Sequence, residues 1–313
     1  MLKYIAKRLL IMLLVLWAVS TMTYFMVHVT PGDAATAIVF NLTGGTNMDQ
    51  ELIDRINKRF DLDKPVYVQY FNWLLGVFRL DFGISYRYNM PVMDMIKARL
   101  PNTARLGLTA VLLSALIGIP LGVLSALRQN KILDHVSRVI TLFIGSVPGF
   151  LSGLVLIIIF SLKFKWFPTS GMKTAGSIVL PAVTLALGMV ATTTRMMRTG
   201  MLDVLRQDFM VVAKAKGIRR SSILTSHAFR NALPSIVTVI GLQIGHILGG
   251  SVLVETIFAW PGLGSLLNDA VSNRDTPMLE GCVILITFGY TAINLLVDIV
   301  YAWLDPRVKY TEG

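Results

Sequence analysis

The residue types that most often carry chemistry are few in this chain, and their spacing forms no catalytic set. The four histidines, His28, His135, His227 and His246, are far apart and fall in different segments. No Gly-x4-Gly-Lys-Ser/Thr phosphate loop, His-Glu-x-x-His zinc motif, Cys-x-x-Cys pair or Gly-x-Ser-x-Gly nucleophile turn occurs. The single cysteine, Cys282, excludes an internal disulfide. We therefore predict that the chain neither hydrolyses nucleotides nor holds a metal ion or cofactor.

One polar stretch, residues 195–233, has a pattern that points to a task. It contains Asp208-Phe-Met-Val-Val-Ala-Lys-Ala-Lys-Gly217 and then His227-Ala-Phe-Arg-Asn-Ala-Leu-Pro234. An acidic residue at the start of a helix and lysines at its end both match the helix dipole. Gly217 can adopt the left-handed conformation that ends a helix. The pattern predicts a short helix, a glycine stop and a second short helix.

The second helix is expected to be capped by Ser221 or Ser222, and Pro234 is expected to begin the next apolar run. The segment also carries an apolar ridge, formed by Val211, Val212, Ala213 and Ile218. A solvated basic loop would explain the charges but not the ridge. An exposed apolar ridge fits the groove of a partner protein better. We interpret the segment as a docking site for another protein.

The elements around this segment are those of a membrane protein. Of the 313 residues, 54% are hydrophobic and only 15% are charged, with a mean hydropathy of +0.64. A helix needs about 20 apolar residues to cross a bilayer. Six runs meet or approach this length: Leu9–Val29, Leu106–Leu127, Val136–Leu162, Ile178–Thr194, Pro234–Phe258 and Leu279–Leu304. The sequence predicts an all-α membrane protein with six transmembrane helices.

The net charge of +11 reflects membrane orientation rather than nucleic-acid binding. The basic excess lies before the first run, between the second and third runs, and in residues 195–233. The segment from Thr30 to Leu100 holds eight basic and eight acidic residues and is balanced. Lysines and arginines concentrate on the cytoplasmic side of membrane proteins. Both termini and residues 195–233 are therefore expected in the cytoplasm.

The segment between the first two runs is too long for a plain connector. Apolar residues at helical spacing predict a short amphipathic helix at Glu51–Phe60. The aromatic stretch Tyr67–Leu80 is too short for a span and suits a helix that lies at the interface or packs on the bundle. A third short helix is expected from Met90 to Arg99. We expect an extracytoplasmic helical insertion, which serves either as a structural brace or as a docking surface over the pore.

The second and third runs have internal prolines, Pro120 and Pro148, which are expected to kink these spans. The alternative is that these prolines have no special role, because proline and glycine are commoner in membrane helices than in soluble ones.

The fifth run places small and polar residues on separate faces. Gly241, Gly245 and Gly249 recur every four residues and predict a helix-packing stripe. Gln243, His246 and Gly250 fall on another face. Polar groups at membrane depth usually face a wet cavity or the bundle interior. These three residues are candidates for a translocation path, and an interhelical hydrogen bond in a dry seam is the alternative.

Taken together, the motifs resemble the permease subunits of bacterial ABC importers of the peptide/nickel family. Besides the polar stretch, the resemblance is carried by Asp61–Tyr70, Asp81–Ser85, Ser146–Phe150, Ile178–Ala182, Glu255–Gly264, Asn273–Asp275 and Leu304–Arg307. The general importer signature Glu-Ala-Ala-x3-Gly is only partly kept, because Val211 and Val212 stand at its first two places. This departure weakens the expectation of an acidic contact with an ATPase.

The resemblance implies a type I importer architecture in the bacterial inner or plasma membrane. It implies a second homologous permease subunit, two ATP-binding subunits that hold ATP and Mg²⁺, and an extracytoplasmic solute-binding protein. The coupling contacts to the ATPases would come from Asp208, Val211, Val212, Ala213, Lys214, Ala215, Lys216, Gly217 and Ile218.

Short peptides are the leading solute, and nickel or a metal–chelator complex is the alternative. A stand-alone channel or a membrane enzyme is a further alternative, which leaves the polar stretch unexplained. We expect a first helix in residues 1–30, an insertion in 31–100, a core of five transmembrane helices in 101–306 that includes the coupling region 195–233, and a cytoplasmic tail in 307–313.

Overall fold

The computed structural model describes residues 2–29, 35–36, 38–39 and 49–304. Within these ranges the chain is helical, and the one β-type pairing is an isolated bridge between Ile84 and Pro91. The α-helices, in chain order, are α1 (Leu2–Val29), α2 (Gln50–Arg59), α3 (Val66–Phe78), α4 (Val92–Leu127), α5 (Ile132–Ser146), α6 (Gly149–Leu156), α7 (Val179–Leu205), α8 (Asp208–Ala215), α9 (Arg220–Ser222), α10 (Arg230–Gly250), α11 (Val252–Ile257), α12 (Leu263–Ser272) and α13 (Thr276–Leu304). Helix α6 continues as a π-helical segment over Ile157–Lys163, and α9 continues as one over Ile223–Phe229. The predicted all-α class is confirmed.

The chain folds into two compact units. The core unit contains Ala104–Trp260 and the part of α13 that begins at Tyr290, and the insertion unit contains Ala6–Thr103 and Pro261–Gly289. Each unit has its own buried apolar cluster, as described below.

Four helical segments of the described chain are long and apolar enough to cross a membrane: Ala6–Val29, Val92–Leu127, Ala175–Leu205 and Thr276–Val300. Two bent helix pairs raise the number of candidate spans to six if each pair counts as one span. These segments match the six predicted runs in order, although several of the predicted boundaries are wrong.

The helix of the third apolar run is broken and not merely kinked as predicted. Helix α5 ends at Ser146, Val147 is extended, and α6 begins at Gly149 after Pro148, with an angle of 100° between the two helices. The residue before a proline is disfavoured in the helical conformation, so Val147 ends α5 and Pro148 starts a new direction.

Helix α4 is a single helix of 36 residues, which corrects the predicted short helix from Met90 to Arg99. Pro120, where a kink is predicted, lies within this helix and does not interrupt it. A proline inside a helix removes one backbone hydrogen bond, and its ring clashes with a carbonyl of the preceding turn. The glycines near Pro120 allow close packing. A Cβ atom at Gly122 would lie 2.6 Å from the Cβ atom of Met197 on α7, so only glycine allows this approach.

The fourth and fifth runs also differ from prediction. Helix α7 extends to Leu205, so Arg195 and Arg198 lie on this helix and not in a polar loop. Helix α10 begins at Arg230, which places Pro234 inside it rather than at its start. The chain bends by 44° between Ile223–Pro234 and Ile236–Gly250, because the proline leaves a carbonyl of the preceding turn without its donor.

The insertion unit is organised around the start of α4 and the start of α13. Its main apolar cluster joins Phe82, Val92 and Ile96 to residues of α12 and α13 that include Leu263 and Met278. On α2, Ile53 and Ile56 are buried in a second cluster, as their helical spacing predicts.

The carboxylate of Asp275 ties a loop to this framework. It accepts hydrogen bonds from the hydroxyl of Ser85 and from the backbone N–H groups of Tyr86 at 3.1 Å and Arg87 at 3.3 Å. The side chain of Arg87 also donates to Asn273. Residues 85–87 are thereby held against the turn that precedes α13.

Candidate functional site

Helix α8 has one buried face and one exposed apolar face. Met210 and Ala213 are buried in an apolar cluster with Met197, Met201 and Ala228. Val211 is 66% exposed and Val212 is 53% exposed, with Phe209 beside them at 36%. The predicted ridge is therefore wrong in one member, because the spacing of three residues puts Ala213 on the same face as Met210. The exposed ridge consists of Phe209, Val211, Val212 and Ile218.

Gly217 ends this helix in the predicted manner. Its φ is +70°, and the N–H of Ile218 donates to the carbonyl of Ala213 at 3.3 Å. This is the hydrogen bond of a Schellman motif, in which the residue after the helix is left-handed. A Cβ atom at Gly217 would meet no described atom within 4 Å, so the position requires glycine for its backbone conformation and not for space. Asp208 stands in the first turn, and Ala215 and Lys216 are exposed at the end.

The predicted caps of the second helix are wrong. Helix α9 begins at Arg220, so Ser221 and Ser222 lie inside it, and Ser222 has helical dihedral angles without a capping hydrogen bond. The start of α9 follows from the packing of Ile223 and Ala228 against the cluster that also buries α8. The helix–glycine–helix unit is thus fixed to α7 and α10 by its buried face.

An ion pair that sequence reasoning missed lies in the core unit. Asp134 on α5 is fully buried and accepts from the Nε and Nη2 atoms of Arg198 on α7, at 2.6 and 2.8 Å. The hydroxyl of Ser125 and the backbone N–H of Asn130 donate to the same carboxylate at 2.5 and 3.0 Å. Two fork-like bonds and two further donors satisfy the buried charge and lock the α4–α5 turn to α7. The two charges are 64 residues apart, so no local pattern could have joined them.

Gln243 on α10 takes part in a hydrogen-bond network between three helices. Its amide nitrogen donates to the carbonyl of Met189 at 3.2 Å and to the hydroxyl of Thr193 at 3.1 Å. Its amide oxygen accepts from Ser114 on α4 at 3.4 Å, and the hydroxyls of Ser114 and Thr193 are 2.9 Å apart. This arrangement matches the interhelical alternative, because the amide bonds to α4 and α7.

One edge of Gln243 also lines a groove. The groove has a volume of about 390 Å³ and is formed by Gly188, Met189 and Thr192 on α7 and by Val239, Leu242, Gln243 and His246 on α10. His246 also makes an edge-to-face contact with Tyr290, at a centroid distance of 5.9 Å. Gly250 is not among the lining residues, so the structure brings together two of the three candidate path residues.

The glycines of α10 differ in their surroundings. A Cβ atom at Gly241 would lie 2.3 Å from Val297 on α13, and one at Gly245 would lie 3.2 Å from the side-chain oxygen of Asn294. A Cβ atom at Gly249 would meet no described atom within 4 Å. The close approach of α10 to α13 thus uses Gly241 and Gly245 but not Gly249.

Metal ligands do not gather around these sites. Over the described ranges, no group of three or more His, Cys, Asp or Glu side chains could hold a metal ion.

Comparison with known proteins decides the family. A family model described as "Binding-protein-dependent transport system inner membrane component" matches residues 118–310, and its N-terminal companion, described as a "membrane comp, N-term" of the same systems, matches residues 1–107. The chain belongs to this family. It is 36% identical over 310 residues to GsiC, the glutathione transport system permease protein of Escherichia coli K12, covering 99% of this chain and 100% of the relative. The same values hold for GsiC of Shigella dysenteriae serotype 1. The chain is a permease subunit of the translocation pathway in an ABC importer of the peptide/nickel family.

Solved structures share the fold. A MetNI methionine ABC transporter in an inward-facing conformation aligns with a TM-score of 0.57 and 18% identity, over 68% of this chain and 97% of that chain. An amino acid ABC transporter solved with histidines aligns with a TM-score of 0.51 and 18% identity, over 69% and 94%. The architecture is that of a type I ABC importer permease.

Proposed function

We propose that this chain forms one half of the pathway by which an ATP-driven importer takes up short peptides. The observation that carries the proposal is the exposed apolar ridge of Phe209, Val211, Val212 and Ile218, at a glycine-stopped turn, in a chain of this family. A permease without a phosphate loop needs an external source of work, and the ridge offers a surface on which an ATPase can act.

Helix α8 suits this role because its two faces differ. The buried face, formed by Met210 and Ala213, connects α8 to the cluster that contains Met197 and Met201 of α7. A force applied to the exposed face is therefore transmitted to α7 through packed side chains. Helix α7 also lines the groove that contains Gln243 and His246. In this proposal, movement of α8 changes the groove, while ATP and Mg²⁺ are held by the two partner ATPases.

The solute is proposed from the full-length relation to a glutathione permease. Glutathione is itself a γ-linked tripeptide, so a solute with amide bonds and free charged ends is the class that this relation favours. The described part of the chain holds no group of three or more His, Cys, Asp or Glu side chains that could bind a metal ion, which makes nickel the weaker alternative.

The proposed assembly has a defined orientation. The basic residues in the segment 195–233 support a cytoplasmic position for α8 and for both termini. The segment from residue 31 to 100 then lies outside, where a solute-binding protein delivers its cargo. A second, homologous permease subunit completes the pathway.

The experiment has two stages. The tagged chain is first purified from its native membrane in mild detergent, and the proteins that co-purify are sequenced. We expect a second permease subunit and ATPases that contain a Gly-x4-Gly-Lys-Ser/Thr loop. The intact complex is then placed in liposomes with its binding protein, and uptake of labelled di- and tripeptides, glutathione and Ni²⁺ is measured with and without ATP.

ATP-dependent uptake of peptides or glutathione supports the proposal. Uptake of Ni²⁺ alone would overturn the solute assignment, and uptake by the chain alone without ATP would overturn the importer mechanism.

A further inference from the structure

The insertion unit contains a pocket that is separate from the groove of the core unit. Its volume is about 290 Å³, near the lower end of the range for small-molecule sites. Aromatic rings form much of its wall, with Tyr24 and His28 of α1, Trp73 of α3, and Phe82 and Tyr86 from the loop before α4. The ring of Tyr24 lies 5.1 Å from that of Trp73 and stacks on His28 at 4.1 Å.

Two polar groups of this pocket lack hydrogen-bond partners within the part of the chain that the structure describes. Glu280 of α13 is only 3% exposed, and its Oε1 atom finds no hydrogen-bond donor among the described residues. The hydroxyl of Tyr24, also 3% exposed, is in the same situation. A buried carboxylate without a partner is costly, and an empty acceptor of this kind requires an explanation.

The elements on both sides of Glu280 are held in place by close contacts. The next residue, Gly281, packs so closely on the start of α4 that a Cβ atom there would lie 2.6 Å from Val92. Opposite, the backbone of Tyr86 is fixed by its bond to Asp275. The backbone that carries Glu280 is therefore closely packed, and its buried side chain lines the pocket.

Both the negative charge and the aromatic rings of the pocket suit a cation. None of the described lining residues is a lysine or an arginine, and Asp81 adds an exposed carboxylate to that of Glu280. The exposed carboxylate of Asp61, which also lines the pocket, is paired with Lys64 at 2.9 Å. Burial raises the pKa of the Tyr86 phenol above its usual range, and the nearby Glu280 carboxylate raises it further. Tyr86 therefore remains a neutral ring that can face a cation.

From this geometry we infer that the pocket binds a primary ammonium group carried by a small organic molecule. The ammonium donates to the carboxylate of Glu280 and the hydroxyl of Tyr24, and the rings of Trp73 and Tyr86 contact its charge and its carbon chain. A quaternary ammonium ion would satisfy the rings but could donate to neither oxygen. The inference does not rest on the proposed function, because it concerns a different unit and a different cavity.

A primary ammonium could come from a free amine or from the headgroup of phosphatidylethanolamine. The full chain is therefore placed in nanodiscs of phosphatidylglycerol alone or of phosphatidylglycerol with phosphatidylethanolamine. n-Butylammonium is titrated into both samples, and binding is measured by calorimetry and by tryptophan fluorescence. Saturable binding that is equal in both lipids indicates a free amine as the ligand, and binding that weakens with phosphatidylethanolamine indicates the lipid headgroup.

Three comparisons make the test specific. 1-Butanol, which has the same chain without charge, is expected not to bind, and tetramethylammonium is expected to bind about tenfold or more weakly than n-butylammonium. Glu280→Gln is expected to weaken n-butylammonium binding by about tenfold or more. Glu255→Gln is the matched control, because Glu255 is a fully buried glutamate of the core unit whose carboxylate already accepts from Ser251 at 3.0 Å.

Tyr24→Phe is the second variant if Glu280→Gln does not fold, and it is expected to weaken binding severalfold while keeping the ring. The inference is overturned if wild-type chain shows no saturable binding in phosphatidylglycerol nanodiscs. It is also overturned if 1-butanol binds as well as the amine, or if n-butylammonium binds Glu280→Gln or, where that variant does not fold, Tyr24→Phe as tightly as the wild type.

Discussion

Gly217 should be required for its backbone conformation and not for its small size. Its φ of +70° is left-handed, and an added Cβ atom would have open space around it. A left-handed conformation costs an L-residue roughly 1–2 kcal/mol, while asparagine adopts it more readily. We expect a cost of about 1 kcal/mol for Gly217→Ala, about 2 kcal/mol for Gly217→Val, which is β-branched, and much less for Gly217→Asn.

Hydrogen exchange measures this cost directly. The N–H of Lys216 donates to Val212 at 3.0 Å, and that of Ile218 donates to Ala213 at 3.3 Å. These amides exchange when the end of α8 opens, and 1–2 kcal/mol corresponds to a factor of about 5–30 in that opening. In peptides that cover residues 208–218, Gly217→Ala should exchange about fivefold faster and Gly217→Val about thirtyfold faster than wild type. Gly217→Asn should differ by less than about twofold.

Transport by the assembled complex should fall in the same order, with Gly217→Asn the most active of the three variants. If asparagine accelerates exchange as much as valine does, side-chain size rather than φ decides the outcome, and the reasoning is wrong. Equal exchange in all three variants would show that the Schellman bond does not hold the end of α8.

Three further predictions concern the core unit. Asp134→Asn should lower the stability of the purified complex by about 3–5 kcal/mol, because Arg198 loses a buried counter-charge, and replacing both residues by leucine should recover much of the loss in the midpoint of thermal unfolding. Gly241→Ala should reduce the yield of folded chain on size-exclusion chromatography, since the new Cβ atom would lie 2.3 Å from a methyl group of α13, whereas Gly249→Ala, with open space, should behave as wild type. Gln243→Met should cost about 1–3 kcal/mol in the same thermal assay through the loss of its interhelical bonds, and a neutral result would contradict the network.

Local chemistry explains which features could be predicted from sequence. The stop at Gly217 was predictable because a glycine after a short polar helix suffices to specify it. The six apolar runs were predictable in order because length and composition alone qualify a segment as a span. The wrong member of the ridge, Ala213, could have been found as well, since its spacing from Met210 puts both on one face.

Tertiary packing decides the features that could not be predicted. Pro120 lies within the continuous helix α4, whereas Pro148 lies at the 100° break between α5 and α6. The residue type alone therefore does not distinguish the two cases. The pairing of Asp134 with Arg198 depends on two helices that meet only in the folded chain. Ser222 is a good cap by residue type, yet it lies inside α9, which begins at Arg220 and leads to the buried residues Ile223 and Ala228.

The most direct test of the account asks whether the ridge of α8 contacts an ATPase. The only native cysteine, Cys282, is fully buried, so new single cysteines can be labelled selectively. Val212→Cys places a thiol on the exposed face of α8, and Ala213→Cys places one on the buried face of the same helix. Each variant is purified within its complex and treated with a short thiol-to-amine cross-linker, and the products are sequenced. The account predicts a cross-link from Val212→Cys to a subunit with a phosphate loop and none from Ala213→Cys. An intact complex in which both positions, or neither, cross-link to that subunit would contradict it.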